Sequence, residues 1–133
     1  MSAVLDAGVV VAALVGTGDQ GRWADLQMGA GALAAPHLMP AEVANVLRKA
    51  AAAGSVPANT ARTAHQELVS LPVELFGYEA FAERVWALRD NLTVYDAWYV
   101  ALAESLDAPL VTLDLRLARA PGPMCDFLTP VQP

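Results

Sequence analysis

Four acidic residues, far apart in the sequence, occupy positions from which their carboxylates could act together. Asp6 follows the apolar run AVL and Asp114 follows LVTL, and both runs are typical of short β-strands. Glu42 and Asp96 fall in the first turns of predicted helices. Ligands of open parallel sheets bind at the carboxyl ends of the strands, and helices that follow strands begin at that same edge. The spacing therefore predicts that the four carboxylates converge on one edge of a sheet.

The chemistry of such a cluster depends on a cation, because carboxylates at close range repel one another and one of them would otherwise take up a proton. Oxygen ligands without a His or Cys partner favour Mg²⁺ or Mn²⁺ over Zn²⁺. Such an ion polarises a phosphate oxygen and activates water, and two ions can hold both the attacking and the leaving oxygen. The residue types therefore indicate metal-dependent phosphodiester hydrolysis without a protein nucleophile.

Each acid also has a purely structural interpretation, which the spacing alone leaves open. Asp6 could cap the helix that follows it. Glu42 and Asp96 could be ordinary first-turn acids that interact favourably with the helix dipole. Asp114 could cap the segment LRLARA as a turn residue. Only the joint pattern of four acids favours a site over these separate roles.

Length and composition predict one domain over residues 1–133 with a substantial core, since 56% of the residues are hydrophobic. The net charge of −6 argues against a nucleic-acid partner, because polyanions usually bind to basic surfaces. A divalent cation in an acidic pocket would reverse the local field and remove that objection. With this net negative charge, we expect binding of an RNA substrate to depend on the metal.

Location is predicted from the apolar segments and the cysteine. No run of 18 apolar residues exists, and the apolar start lacks a basic segment, so we expect neither a membrane span nor a secretory signal. The single Cys125 cannot form an internal disulfide, which suits a reducing cytoplasm. It also lacks a local nucleophile signature. The aromatic residues Trp86, Trp98 and Tyr99 could stack nucleobases, although their helical spacing is also that of core residues.

Strand and helix patterns alternate along the chain, which predicts a mainly parallel sheet covered by helices. The first half is predicted to contain a strand ending at Asp6, a buried helix ending at Gly16, a helix over 19–29, a strand ending near Pro36 and a helix from Pro40 to Gly54. A helix capped by Asn59 or Thr60 and ending near Ser70, a strand over 73–76 and a helix over 78–90 with Trp86 inward are predicted next. The last predicted elements are a helix over 94–106 capped by Thr93, the strand LVTL, and a strand with Phe127 and Leu128.

Three segments carry a resemblance to a known family: VLDAGVVVAAL, PAEVANVLRKA and LTVYDAWYVALAESLDAPLVTLDLRLARA. In order and spacing, the chain resembles the PIN-domain family, and within it the VapC-type toxins of bacterial toxin–antitoxin pairs. The third segment is the most specific, with a helix beginning YDA and a strand reading LVTLD. The resemblance extends over nearly the whole chain.

The resemblance implies a three-layer α/β/α sandwich around a parallel sheet of four or five strands. It implies an endoribonuclease that cleaves structured RNA such as tRNA or rRNA and depends on Mg²⁺ or Mn²⁺. It also implies inhibition by a VapB-like antitoxin that fills the acidic site, often with an Arg, and a homodimer. The catalytic set would be Asp6, Glu42, Asp96 and Asp114, with Asp6, Asp96 and Asp114 on the metal, Thr112 and Asn45 in support, and Arg116 and Arg119 as candidate phosphate contacts.

Two positions depart from the family pattern. Gly8 stands where a Ser is common, so a hydroxyl that helps to hold the metal or the phosphate is missing. Leu115 stands where an Arg often follows the last Asp. Two other functions stay open: a non-catalytic PIN-fold interaction module, and a phosphoaspartyl hydrolase or receiver domain with Asp6 as nucleophile. The second normally needs a Lys after a late strand, whereas Lys49 is the only lysine and lies within a predicted helix.

Overall fold

A five-stranded sheet, parallel throughout, forms the centre of the fold in a computed structural model that describes residues 2–130. The strands are β1 Ser2–Leu5, β2 Ala32–Pro36, β3 Val73–Phe76, β4 Leu110–Val111 and β5 Phe127–Leu128. Their order across the sheet is β3-β2-β1-β4-β5, and every neighbouring pair is parallel. The predicted α/β class with a parallel sheet is confirmed.

Helices cover the sheet and connect its strands. They are α1 Ala7–Val15, α2 Gly18–Met28, α3 Met39–Ala52, α4 Ala58–Ser70, α5 Ala82–Ala87, α6 Val94–Leu106 and α7 Leu115–Ala118, with a 3₁₀ turn at Glu79–Phe81 before α5. Helices α1 to α4 pack on one another, whereas α5 packs on α6 and α6 lies against β1, β2 and β4. No helix within residues 2–130 is long and apolar enough to cross a bilayer.

The two central strands show why the sheet is covered on both faces. Successive side chains of a strand point to opposite faces, and both Val4 and Leu5 of β1 are fully buried. Leu110 and Val111 of β4 are fully buried as well. Apolar residues at every position of a strand therefore require helices on both sides of the sheet, which is the arrangement typical of parallel sheets.

Three local predictions were wrong. Helix α4 begins at Ala58, so Asn59 and Thr60 lie within its first turn and do not cap it. The predicted helix over 78–90 is a 3₁₀ turn at Glu79–Phe81 followed by the short α5, which ends at Ala87 and is followed by turn residues. Trp86 is 60% exposed, since α5 turns Val85 toward the core.

Strand β4 ends two residues earlier than the run LVTL predicts. The backbone of Thr112 still donates to the carbonyl of Leu128, at 3.0 Å, so the chain continues beside β5 past the end of the strand. This places the Thr112 side chain at the carboxyl edge of the sheet, where β1 also ends.

The chain after α7 is attached to α6 by one carboxylate. Glu104 accepts two hydrogen bonds from Arg84, at 2.7 Å and 3.0 Å, and one from the backbone N–H of Met124, at 2.7 Å. Arg84 also donates to the carbonyl of Gly122 at 3.1 Å. These contacts connect α5, α6 and the segment that leads into β5.

Candidate active site

Asp6 lies directly after β1, at the N-terminal end of α1, and its side chain makes no capping hydrogen bond to that helix. Its Oδ2 accepts a hydrogen bond of 2.7 Å from the hydroxyl of Thr112. Burial raises the pKa of Asp6 to about 6; the bond from Thr112 opposes this rise, and the charges of Asp96 and Glu42 add to it. The carboxylate of Asp6 therefore does not cap α1, although the sequence left that role open.

Thr112 is a fully buried polar residue that joins two of the acids. Its hydroxyl donates to Asp6 and accepts a bond of 3.0 Å from the backbone N–H of Asp114. A hydroxyl has one proton to give and lone pairs to accept with. Both capacities are used here, so the side chain holds the carboxylate of Asp6 beside the start of α7.

Glu42 lies in the first turn of α3 and is held by α6. The phenol of Tyr99 donates to its Oε1 at 2.8 Å. Burial raises the pKa of Glu42; the bond from Tyr99 opposes the rise and the charge of Asp96 adds to it. Burial and the nearby Glu42 raise the pKa of Tyr99 as well, so the phenol keeps its proton and acts as a donor.

Asp96 lies in the first turn of α6, where Thr93 caps the helix as predicted: its hydroxyl accepts from the backbone N–H of Asp96 at 3.1 Å. Burial and the charge of Asp114 raise the pKa of Asp96, against the opposing effects of Thr93 and Arg116. The pKa of Asp96 is therefore raised first by partial burial and then by the neighbouring carboxylate of Asp114.

Asp114 caps helix α7, which is one of the two roles that the sequence left open for it. Its Oδ1 accepts from the backbone N–H groups of Arg116 and Leu117, at 3.0 Å and 3.1 Å. These bonds occupy one carboxylate oxygen at the start of α7. The second oxygen, Oδ2, is left for another partner.

The four carboxylates thus lie within electrostatic range of one another with little positive charge to balance them. Among the described residues, Arg116 is the basic side chain that acts on this set, through Asp96. It lines a polar depression of about 270 Å³ together with Asn91, Asp96 and Asp114. Arg119, the other predicted phosphate contact, is exposed and lies outside that lining.

The donor chemistry fits a hard divalent cation. Every candidate ligand is a carboxylate oxygen, and the pKa of Asp6 is raised by partial burial and then by neighbouring carboxylates, both of which a bound cation would offset. Within residues 2–130, no three His, Cys, Asp or Glu side chains are close enough together to enclose an ion by themselves. Mg²⁺ in proteins is usually held by one or two carboxylates and completes its shell with water and substrate phosphate.

The remaining predicted residues are placed as follows. Asn45 is exposed, one helical turn after Glu42, and its Oδ1 accepts from Nε of Arg48 at 3.0 Å. At Gly8 a β-carbon would meet nothing within 4 Å, so the open space there would admit a serine. Trp98 is buried and packs edge-to-face on Tyr78, with ring centroids 5.3 Å apart, so it belongs to the core.

A larger depression, of about 400 Å³, lies elsewhere, beside Glu104, Asp107 and Cys125 at the other end of α6. Burial raises the pKa of the Cys125 thiol to about 11. A thiol with so high a pKa is a poor nucleophile at neutral pH. The chemistry-bearing residues are therefore those at the carboxyl edge, although the depression there is smaller.

Two residues near the carboxylates were not predicted in their observed roles. Tyr99 was expected to be in the core or to stack bases; it is buried, but its hydroxyl also holds Glu42. The signal was its position three residues after Asp96, which places both on one face of α6. Tyr95 was overlooked: it is 59% exposed and lines a depression together with Glu42.

Comparison with known proteins assigns the fold and the sequence to the same family. The PIN domain model matches residues 3–123. Ribonuclease VapC1 of Mycobacterium tuberculosis is 41% identical over 125 residues, which are 93% of this chain and 94% of that protein. The structure of PAE2754 from Pyrobaculum aerophilum superposes with a TM-score of 0.69 and 27% identity, covering 89% of this chain and 78% of that one.

A more distant relative has the same fold over nearly the full length. The structure of VapBC2 from Rickettsia felis, bound to a DNA fragment from its promoter, contains a chain with a TM-score of 0.67 and 17% identity. The match covers 97% of this chain and 98% of that chain. The sequence similarity, the parallel sheet and its carboxylate-lined edge agree, and the chain belongs to the PIN-domain family.

Proposed function

We propose that this protein is a VapC-type endoribonuclease that hydrolyses phosphodiester bonds of structured RNA, such as tRNA or rRNA, with the help of Mg²⁺ or Mn²⁺. The observation that carries the proposal is the set of partly buried carboxylates at the carboxyl edge of the sheet, in which burial and the charges of Asp96 and Glu42 raise the pKa of Asp6 to about 6. The similarity to ribonuclease VapC1 over 93% of the chain supports the reaction class.

In this proposal the metal ligands are Asp6, Asp96 and Asp114; because the three are too far apart to enclose an ion by themselves, one or two would contact it directly and the remainder through water. When bound, the ion supplies an activated water and neutralises the charge that develops on the phosphate. Thr112 fixes the carboxylate of Asp6 by its hydrogen bond. Glu42, fixed by Tyr99, is placed either to contact the ion or to orient the attacking water. Asp6 and Glu42 are therefore each held in place by the hydroxyl of a second residue.

Phosphate contacts are assigned to the basic residues of α7 and of the chain after it. Arg116 shares the polar depression with Asp96 and Asp114, so its guanidinium could contact a phosphate of RNA bound there. Arg119 lies outside this depression and would contact RNA only beyond it. Asn45 supports the site from the side of Glu42, one helical turn away.

We also propose the biological setting that VapC-type proteins share. The partner would be a VapB-like antitoxin that inhibits by placing a cationic side chain, such as Arg, among the carboxylates. Such a side chain would supply the positive charge that this set lacks in the isolated chain. A homodimer and a cytoplasmic location complete the proposal, the latter because Cys125 is the single cysteine and cannot form an internal disulfide.

The test is cleavage of total tRNA and rRNA by purified protein free of antitoxin, in Mg²⁺, in Mn²⁺ and in EDTA. We expect cleavage with either ion and none in EDTA. The Asp6→Asn variant should lose activity by about three orders of magnitude, because a metal ligand contributes several kcal/mol to transition-state stabilisation. Asp25→Asn, an exposed Asp on α2, is the matched control and should keep full activity.

Two outcomes would contradict the proposal. Undiminished, EDTA-resistant cleavage by Asp6→Asn would exclude the metal mechanism. Absence of cleavage by a folded wild-type protein with both RNAs and both ions would favour the alternative of a non-catalytic PIN-fold interaction module.

A further inference from the structure

Two depressions of different character lie on either side of the first turn of α6. The polar one contains Asp96 and Asp114. The other, of about 290 Å³, is mostly apolar and lies between the beginnings of α3 and α6; its lining is Leu38, Ala41, Glu42, Asn45 and Tyr95. Because Glu42 forms part of this second depression, a group bound there lies next to the proposed reaction centre.

Tyr95 is the aromatic wall of this depression. It is 59% exposed, whereas Tyr99, one helical turn further along α6, is 2% exposed and contributes to the core. A single exposed aromatic residue is ordinary in itself. The exposure of Tyr95 is relevant to function because Tyr95 directly precedes Asp96 and lines the same depression as Glu42. An aromatic face is therefore presented beside the carboxylates.

Asn45 provides the polar group of the depression, and its orientation is fixed by its neighbour. Nε of Arg48 can only donate a hydrogen bond, so it selects the carbonyl oxygen of the Asn45 amide, at 3.0 Å. The amide nitrogen, with its two protons, then has no role in that contact and is available as a donor. Besides the carboxylate of Glu42, the depression thus offers one π face, one hydrogen-bond donor and the apolar side chains of Leu38 and Ala41.

These features match an unstacked nucleobase. A base has two π faces and ring or carbonyl acceptors on its edge, and proteins that recognise single-stranded RNA stack bases on aromatic side chains and bind their edges. We propose that Tyr95 stacks the base of a nucleotide adjacent to the scissile phosphate, and that Asn45 donates a hydrogen bond to its edge. This inference rests on the proposed ribonuclease function and assigns the substrate of that site: RNA with an unpaired base at the cut.

The test measures binding of a fluorescein-labelled, single-stranded oligouridylate by anisotropy in Ca²⁺, with a second oligonucleotide in which the ribose units are abasic. Stacking on one aromatic residue contributes about 5- to 150-fold in affinity. We expect Tyr95→Ala to weaken binding of oligouridylate by a factor in this range and to leave binding of abasic RNA unchanged. Tyr95→Phe, which keeps the ring, should retain the affinity of the wild type.

Trp86→Ala is the matched control, because Trp86 is 60% exposed but lines no part of either depression. It should bind both RNAs like the wild type. Asn45→Asp keeps an acceptor for Arg48 and replaces the free amide nitrogen, but it also adds a negative charge, whose effect is measured with the abasic RNA. We expect it to weaken binding of oligouridylate by about 2- to 12-fold more than binding of abasic RNA, the usual net effect of one hydrogen bond.

The inference is overturned if Tyr95→Ala binds oligouridylate as tightly as the wild type, which would assign the exposed ring to a protein–protein surface. It is also overturned if that variant loses equal affinity for abasic RNA, since the ring would then act on the backbone. Cleavage assays separate the two proposals. Loss of activity in Asp6→Asn with full RNA binding by Tyr95→Ala overturns the base site alone. Base-dependent binding without any metal-dependent cleavage overturns the ribonuclease function alone.

Discussion

Carboxylates near the two ends of helix α6 have opposite electrostatic environments. Near its C-terminal end, Glu104 accepts two bonds from Arg84 and one from the backbone of Met124. Burial alone would raise the pKa of Glu104, but these bonds outweigh it and the pKa is lowered. Near the N-terminal end, Asp6 has only a neutral hydroxyl as its side-chain donor and acidic neighbours, and its pKa is raised to about 6.

The difference separates a structural carboxylate from carboxylates available for chemistry. A carboxyl group whose pKa is lowered on folding stabilises the fold at neutral pH, whereas a carboxyl group whose pKa is raised destabilises it. The contacts of Glu104 hold the C-terminal segment to α6. The carboxylates around Asp6 weaken the fold, and such destabilised clusters mark functional sites in proteins. The following predictions, ordered from the largest effect to the smallest, test this contrast.

The first prediction concerns stability and pH. The ordinary pKa of Asp6 is 3.8 and the folded value is about 6, so the folded protein binds the proton more tightly. The charge on Asp6 therefore costs stability as pH rises from about 4 through 6. In EDTA, we expect Asp6→Asn to be more stable than the wild type by about 2 to 3 kcal/mol at pH 7 and by little at pH 4. Urea denaturation at both pH values measures this.

Glu104→Gln serves as the contrasting variant in the same experiment, because it should reduce stability at pH 7. A less stable Asp6→Asn at pH 7 would contradict the view that the carboxyl edge is electrostatically unfavourable in the folded chain.

The second prediction concerns divalent ions. An ion that binds only the folded protein raises the free energy of unfolding by about 2.7 kcal/mol at a concentration 100 times its Kd. We expect Mn²⁺ to raise the Tm of the wild type and of Glu104→Gln, but not that of Asp6→Asn. Thermal denaturation at increasing Mn²⁺ concentration measures the effect. Equal stabilisation of Asp6→Asn would show that the ion binds somewhere other than at the carboxyl edge.

The third prediction concerns Thr112, which supports the acids without reacting. Thr112→Val keeps the shape of the side chain but removes the donor to Asp6 and the acceptor for the backbone of Asp114. Residues that orient metal ligands typically contribute 10- to 100-fold to metal affinity or activity. We expect a loss of about that size in RNA cleavage, and recovery in Thr112→Ser. Full activity in Thr112→Val would mean that Asp6 needs no orientation.

The fourth prediction concerns the paired end of α6. Glu104→Gln weakens the bonds from Arg84 and from Met124, and the expected loss of stability is about 1 kcal/mol at pH 7, because the pair is partly exposed. The difference from the wild type should shrink in acid, as Glu104 in the wild type becomes protonated below its lowered pKa. Denaturation measures the loss. RNA cleavage below the Tm should be unchanged, and a large loss of activity would show that the two ends of α6 are coupled.

Much of the fold follows from local sequence patterns. The positions of β1, β2, β3 and β5 and of α1, α2, α3 and α6 agree with the predictions, since apolar periodicity, Pro40 and Thr93 act within a few residues of themselves. The errors lie where tertiary contacts outweigh local preference. Trp86 was predicted to be buried from its helical spacing, yet α5 turns the neighbouring Val85 to the core, and the Trp86 ring lies beneath the guanidinium of Arg89, 4.8 Å away.

The candidate site likewise has features that follow from local sequence and features that depend on tertiary contacts. The sequence determined that acids stand at the ends of strands and in the first turns of helices, because each of those positions depends on a local pattern. Local patterns could not give the partners of those acids, because Tyr99 is 57 residues from Glu42 and Thr112 is 106 residues from Asp6. The family resemblance alone implied that Thr112 supports the site. Tertiary structure alone decided that Glu104 meets a guanidinium while Asp6 meets other carboxylates, since a pKa depends on burial and on charges brought together from distant parts of the chain.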